Sequence, residues 1–177
     1  MATIRGYMGV SLDHYIASPD GGLAWLTKYQ GADFGEFGYA TFIKAIRTVV
    51  MGRATYDWLL QAGIEWPHAG QRVIVVTSRP IDNPPGPLTS WGDGIDRLVA
   101  YLRALDDGDV LIVGGGILQQ AMIARGGLDR LELFVVPEIV GEGIPLFPPN
   151  GFGRTVRLSA ANRLDRGIVR LDYDFAA

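Results

Sequence analysis

Hydrophobic positions along this chain follow two periods, and the switches between them mark its elements. Four successive β-branched residues, Val73-Ile74-Val75-Val76, occupy 72–77, and Val110-Leu111-Ile112-Val113 form a second fully apolar run. Runs of this kind predict strands buried on both faces, as does 48–51 before Gly52. Between them the period lengthens. Tyr39, Phe42, Ile43 and Ile46 fall at i, i+3, i+4, i+7 and predict a helix over 36–47, and Ile95, Leu98, Val99 and Leu102 predict another, closed by Asp106-Asp107-Gly108. A short helix is predicted over 53–60, and a Gly-opened one carries Leu118, Ala121 and Met122 on one face. The stretch 80–94 holds four prolines, three glycines and one Asn, so it reads as loop.

The two ends of the chain differ from this middle. Residues 4–17 read as a strand, a break near Asp13-His14 and a shorter strand at 15–17, followed by a Ser18-Pro19-Asp20-Gly21-Gly22 turn. Leu23, Trp25 and Leu26 then form an apolar patch in Gly-rich surroundings, the composition of a mobile lid. In the C-terminal third, 131–137, 156–164 and 168–175 are strand-like. In the last of these Val169, Leu171, Tyr173 and Phe175 alternate with Arg170, Asp172 and Asp174, and Asp165-Arg166-Gly167 is a hairpin-type connection. Strands alternating with helices indicate a parallel sheet. The expected architecture is one α/β domain over 1–177: a mixed, mainly parallel central sheet, helices on both faces, and antiparallel strands at the C-terminal end.

Composition narrows the function classes. A chain of 177 residues, 48% hydrophobic, can bury a full core, and no shift in composition marks a second domain. Net charge is −3 and neither terminus carries a Lys/Arg run, which argues against nucleic acid or an anionic membrane as partner. There is no Cys, so thiolate chemistry and Cys-ligated metals are excluded. His14 and His68, the only histidines, fall in predicted loops with no second ligand placed nearby, so no metal site is expected. The N-terminal residues lack a signal-peptide h-region and no run approaches the roughly 20 apolar residues of a membrane span, so the expectation is a cytoplasmic protein acting on a small molecule.

The candidate chemistry sits where three strands end. Val49-Val50-Met51-Gly52-Arg53-Ala54-Thr55-Tyr56 runs from a strand into Gly-Arg-x-Thr at a helix mouth, where unpaired N–H groups, the helix dipole and Arg53 can hold a phosphate. Val75-Val76-Thr77-Ser78-Arg79 can take an adenosine ribose and a 2′-phosphate, and Gly114-Gly115-Gly116-Ile117-Leu118 can lay backbone against a pyrophosphate. Together they indicate NADP rather than NAD. The usual dinucleotide fingerprint is missing, because Gln119 stands where its last Gly would be, and no Gly-Lys-Ser/Thr occurs.

These motifs resemble, in order and spacing, the dihydrofolate reductase-like superfamily. Gly-Val-Ser-Leu-Asp-x-x-Ile-Ala at 9–17 and Pro-x-x-Val-Gly-Glu-Gly-Ile-Pro-Leu-Phe-Pro at 137–148 are similar to its branch related to the C-terminal reductase domain of bacterial riboflavin biosynthesis. The resemblance implies NADPH as hydride donor and a pterin-like or pyrimidine-like substrate, most like that of 5-amino-6-(5-phosphoribosylamino)uracil reductase. It implies that Gly9 and Ile16 line the nicotinamide, that Gly52, Arg53, Ala54 and Thr55 meet phosphates, and that Thr77, Ser78 and Arg79 face the adenosine. It further implies that Gly114, Gly115, Gly116, Ile117 and Leu118 wrap the pyrophosphate, with a cis peptide between the first two glycines, and that the protein is a homodimer. Counting back from Gly52 by the family spacing lands on Glu36 as the substrate-gripping carboxylate, and Asp13 is the other catalytic candidate. Trp25, Tyr39 and Phe42 read as core, and the dimer interface is expected at the C-terminal strands near Phe134 and Phe147.

Two departures stand out. The branch commonly reads Ser-Leu-Asp-Gly-Lys where this chain has Ser11-Leu12-Asp13-His14-Tyr15, and dihydrofolate reductases carry Arg after the triple Gly where Ile117 stands. The alternatives are a true dihydrofolate reductase and a non-catalytic NADPH-binding protein.

Overall fold

The computed structural model describes residues 2–175. Its centre is an eight-stranded sheet in the order β5-β4-β3-β6-β1-β7-β10-β9. These strands are β1 (Ile4–Val10), β3 (Ile46–Gly52), β4 (Arg72–Val76), β5 (Leu88–Trp91), β6 (Asp109–Gly114), β7 (Arg130–Val135), β9 (Arg157–Arg163) and β10 (Val169–Asp174). Two short strands, β2 (Tyr15–Ala17) and β8 (Ile144–Pro145), pair with each other beside the sheet. The helices are α1 (Ala24–Thr27), α2 (Tyr39–Phe42), α3 (Arg53–Gln61), α4 (Ile95–Arg103) and α5 (Gly116–Ala124).

The mixed, mainly parallel sheet with antiparallel C-terminal strands matches the expected class: β7 pairs parallel to β1, and β10 runs antiparallel to both β7 and β9. Two elements differ from expectation. The proline-rich 80–94 stretch is not all loop, since Leu88–Trp91 adds parallel to β4 as an edge strand, a position where a preceding proline removes no ladder bond. The helix expected over 36–47 is broken into a 3₁₀ turn at Gly35–Phe37, the single turn of α2, and a 3₁₀ turn at Ile43–Ala45. Gly35 at φ +52° and Gly38 in extended backbone interrupt it, and Ile46 already belongs to β3.

The two faces of the sheet bury different chemistry. On one, Ile4, Met8, Ile112 and Leu131 pack with Leu98 and Leu102 of α4 and Met122 of α5. On the other, Val49, Met51, Val73, Val75 and Leu111 pack under Tyr56 of α3. Toward β7 and β10 this second face turns ionic. Arg5 pairs with Glu132 and Asp109, and Arg170 reaches Glu132 at 3.0 Å and Asp172 at 2.8 Å. Phe37 stacks on the Arg170 guanidinium at 4.1 Å and Phe42 on Arg5 at 4.5 Å, so the aromatic segment 34–42 roofs these charges.

The alternation in 168–175 is therefore inverted from its simplest reading. Arg170 and Asp172 are each 7% exposed, while Val169 on the apolar side is 36% exposed. Buried ions of this kind are tolerated because each charge meets an opposite one, and removing one partner costs far more than the pair contributes. The same roof buries Phe134 between Tyr7 and Phe34, which removes it from any interface surface; Phe147 remains exposed. The connection at Asp165–Gly167 does join β9 to β10, through Arg166 at φ 53° and Gly167 at φ 75°. His68 is buried rather than in an open loop, its ring edge-on to Trp66, and desolvation lowers its pKa.

Candidate functional site

Strands β3 and β6 are neighbours, yet the helices that follow them go to opposite faces: α3 to the face of Tyr56, α5 to the face of Met122. A crevice must open at their carboxyl ends, the topological switch point where open α/β sheets bind ligands. A register break there sets Val50 opposite Ile112 and Met51 opposite Gly114, leaving Val113 as the extra residue at the cleft wall. The resulting cleft holds about 1260 Å³.

Its floor is backbone. Both nine-residue helices begin there, α3 after Gly52 and α5 after Gly115, and neither has a side-chain cap, so their first-turn N–H groups face the cleft unsatisfied by the protein's own side chains. A Cβ at Gly115 would stand 3.9 Å from the Thr55 hydroxyl, which shows how closely the two mouths converge. A Cβ at Gly116 would lie 2.5 Å from the Leu146 carbonyl oxygen and 2.7 Å from that of Pro145, so only glycine lets the 144–146 segment lie across the mouth of α5. The Gly114-Gly115 peptide is cis.

Arg53 is fixed before any ligand arrives. Its Nε donates to Asp57 at 2.7 Å, one helical turn on, and its Nη1 donates to the Pro80 carbonyl at 2.9 Å. The second Asp57 oxygen lies 3.9 Å from Arg79, so one carboxylate aligns two guanidiniums at the rim. Thr77, Ser78 and Arg79 sit outside the cleft wall: Thr77 Oγ1 accepts the Arg79 N–H at 3.0 Å, and Val76 is the residue of that strand end that lines the cleft. Ile117, 78% exposed in the first turn of α5, forms part of the wall.

The opposite wall is a lid hung between β2 and α1. Leu26 covers Gly9, where a Cβ would meet the leucine methyl at 3.1 Å, and Ile16 and Ala17 continue the lining. Trp58 Nε1 of α3 donates to the Gly21 carbonyl at 3.0 Å, tying the lid turn across the cleft mouth. β8 pairs with β2, which joins the 144–146 segment to the lid.

Of the sequence-predicted residues, Gly9, Ile16, Gly52, Arg53, Ala54, Thr55, Gly115, Gly116, Ile117 and Leu118 line this one cleft, while Gly114 lies just behind it. Asp13 and Glu36 do not line it. Asp13 accepts N–H bonds from Val140 at 3.1 Å and Gly141 at 2.7 Å. With the Ser11 hydroxyl foremost, these bonds pull its pKa down to about 2, so it is a carboxylate that anchors the 138–145 loop. Glu36 is exposed in the 3₁₀ turn, because the helix that would have carried it inward does not form. Leu23 and Leu26, the apolar patch expected as a lid, line the cleft, and so do Asp57, Trp58 and Tyr7, which the sequence pattern does not mark. The Arg53–Asp57 spacing was a legible helical ion pair; the others reach the cleft through tertiary packing. Tyr7 lines it with its ring, and its hydroxyl is spent on the Phe37 carbonyl at 2.9 Å, with burial raising its pKa.

Among the described residues no group of His, Asp and Glu is arranged to hold a metal ion, and no helix is long and apolar enough to cross a membrane. The model of the RibD C-terminal domain family matches residues 2–170. The uncharacterized protein YwjB of Bacillus subtilis is 30% identical over 167 residues, 94% of each chain. A putative riboflavin biosynthesis protein from Shewanella sp. PV-4 superposes with a TM-score of 0.85 at 23% identity, covering 98% of both chains. The dihydrofolate reductase of Enterococcus faecalis, solved with NADP(H), gives a TM-score of 0.64 at 18% identity over 97% of this chain and 95% of its own. With its mixed sheet, its two helix mouths at one crevice and this match along nearly its whole length, the chain belongs to the RibD C-terminal domain family, on the dihydrofolate reductase-like fold.

Proposed function

We propose that this protein is an NADPH-dependent reductase of a small nitrogen heterocycle, in its reaction most like the pyrimidine reductase of riboflavin biosynthesis. The observation that carries the reading is the convergence of two uncapped helix mouths and a braced arginine on one cleft whose other wall is apolar. These residues fit NADPH: the glycines at 52 and 115 leave room at the backbone, and Arg53 supplies charge where phosphates would lie. Bound NADPH supplies a hydride from its nicotinamide. The chain's part is to orient the ring against Gly9 and Ile16, to hold the 2′-phosphate between Arg53 and, from the rim outside the cleft wall, Ser78 and Arg79, and to exclude water beneath Leu26 and the lid. Asp13 acts in this reading as a positioning residue that holds the loop carrying Gly143 and Ile144. Protons enter from solvent at the lid, beside Asp20, whose carboxylate accepts only the Gly22 N–H among the described residues.

The reading includes a single domain over 1–177, a cytoplasmic protein and a homodimer. The exposed apolar side of β9 and β10, with Leu158 and Val169, supports the last. Titration of tryptophan fluorescence with NADPH, followed by loss of reduced-nicotinamide absorbance across pterins, dihydrofolate and pyrimidines, tests it. Tight binding with turnover of one heterocycle is expected, and no response to either reduced nicotinamide at millimolar concentration overturns it. A second reading, an NADPH-binding protein without catalysis, is favoured by the exposed position of Glu36, and predicts binding without oxidation of any panel member.

A further inference from the structure

We infer that the substrate half of the cleft takes a planar heterocycle carrying no phosphate; this rests on the reductase reading above. The substrate half, from Gly9 outward to the lid, is walled by Leu23, Leu26, Trp58 and Ile144. Its Tyr7 hydroxyl and its Trp58 indole N–H are already bonded, to the Phe37 and Gly21 carbonyls at 2.9 and 3.0 Å. Among the described residues lining the cleft, Arg53 is the one cation, and it stands at the mouth of α3, held by Asp57 and Pro80. If the cofactor phosphates engage it, no cation is left for a substrate phosphate.

The remaining charge at the lid is of the wrong sign. Asp20 lines the cleft there at its exposed rim, and a phosphate dianion brought beside it meets like charge, with no cation among the described lid residues to offset it. An ion leaving water for the apolar wall without a paired donor loses its hydration with no compensation. Tyr15 stands where riboflavin-type reductases have the lysine of Ser-Leu-Asp-Gly-Lys; its backbone pairs with Pro145 and its ring packs against Gly143, 3.3 Å from where a Cβ would be. That position contributes shape to the lid and no charge to the cleft. A flat uncharged ring, by contrast, fits between Leu26, Trp58 and Ile144, where its apolar faces leave water.

The test uses the full chain saturated with NADP⁺, titrated with a matched pair: an aminopyrimidine bearing a neutral ribityl chain, and the same compound with that chain esterified by a terminal phosphate. At least tenfold tighter binding of the neutral compound is expected. Equal or tighter binding of the phosphate ester overturns the inference, and so does binding of neither once NADP⁺ is bound. Failure to bind NADP⁺ at all strikes the reductase reading instead, which separates the two failures. Ile144→Lys places a cation at a partly exposed point of the substrate half, and should shift the ratio at least tenfold toward the phosphate ester when both compounds are titrated at saturating NADP⁺; an unaltered ratio counts against the location assigned to the substrate.

Discussion

The two halves of the cleft are built by different means. The helix-mouth half is made of backbone: Gly52, Gly115 and Gly116 set at the ends of β3 and β6, with one braced arginine. The lid half is made of side chains, Leu23, Leu26, Trp58 and Ile144, contributed by three separate segments. At Gly116 the backbone half has no room for a methyl, whereas a half made of side chains can be reshaped one residue at a time. Recognition of a constant ligand suits the first, and choice among substrates suits the second.

The sharpest way to break this contrast is Gly116→Ala. The new methyl meets two carbonyl oxygens of the 144–146 segment, backbone atoms that cannot rotate away. An overpacking cost of about 1–3 kcal/mol, if borne by the helix mouth, makes NADPH binding fall by roughly 5- to 150-fold, read by fluorescence titration. Arg53→Gln comes next. Loss of a charged donor worth about 1.5–3 kcal/mol should raise KM for NADPH by one to two orders of magnitude, with a smaller rise for NADH in the same initial-rate assay. An equal loss for both nucleotides would move Arg53 away from the 2′-phosphate.

In the lid half the expected effects are smaller. Trp58→Phe keeps the ring and removes the donor to Gly21. A hydrogen bond worth about 0.5–1.5 kcal/mol corresponds to a roughly two- to tenfold rise in substrate KM, with NADPH affinity unchanged. The smallest effect is one of acidity. The Asp13 carboxyl, lowered to about 2, supports the 138–145 loop fully above the ordinary carboxylate value, and this support is lost as pH falls through about 2. Amide exchange at Val140 and Gly141 should therefore lose protection between pH 4 and 2, and Asp13→Asn should show weakened protection already at pH 7. Protection independent of both would remove Asp13 as the loop's anchor.

The same division explains what was legible beforehand. Strand-end turns advertise themselves in composition, because a Gly-Arg-x-Thr or triple Gly after four apolar residues has few other uses. Most of the helix-mouth residues could thus be named from the chain alone, and the buried strands at 72–77 and 110–113 likewise. Leu26, Trp58 and Ile144 meet only through the pairing of β2 with β8 and the tie from Trp58 to Gly21, contacts that no local period encodes. The exposed placement of Glu36 is illegible for a related reason: two glycines break a helix whose apolar spacing is sound, and its aromatics roof the Arg5–Glu132–Arg170 charges. That roof also inverted β10, since an ion pair supplied by β7 made the polar side of the strand the buried one.

The central claim is that the helix-mouth half binds the phosphates of NADPH. Titrating the wild-type chain and Arg53→Gln with NADPH and NADH by calorimetry tests it most directly. The account predicts that the wild type prefers NADPH and that the variant loses most of that preference while staying folded. Equal affinity for the two nucleotides in the wild type, or a preference that survives the substitution, would contradict it.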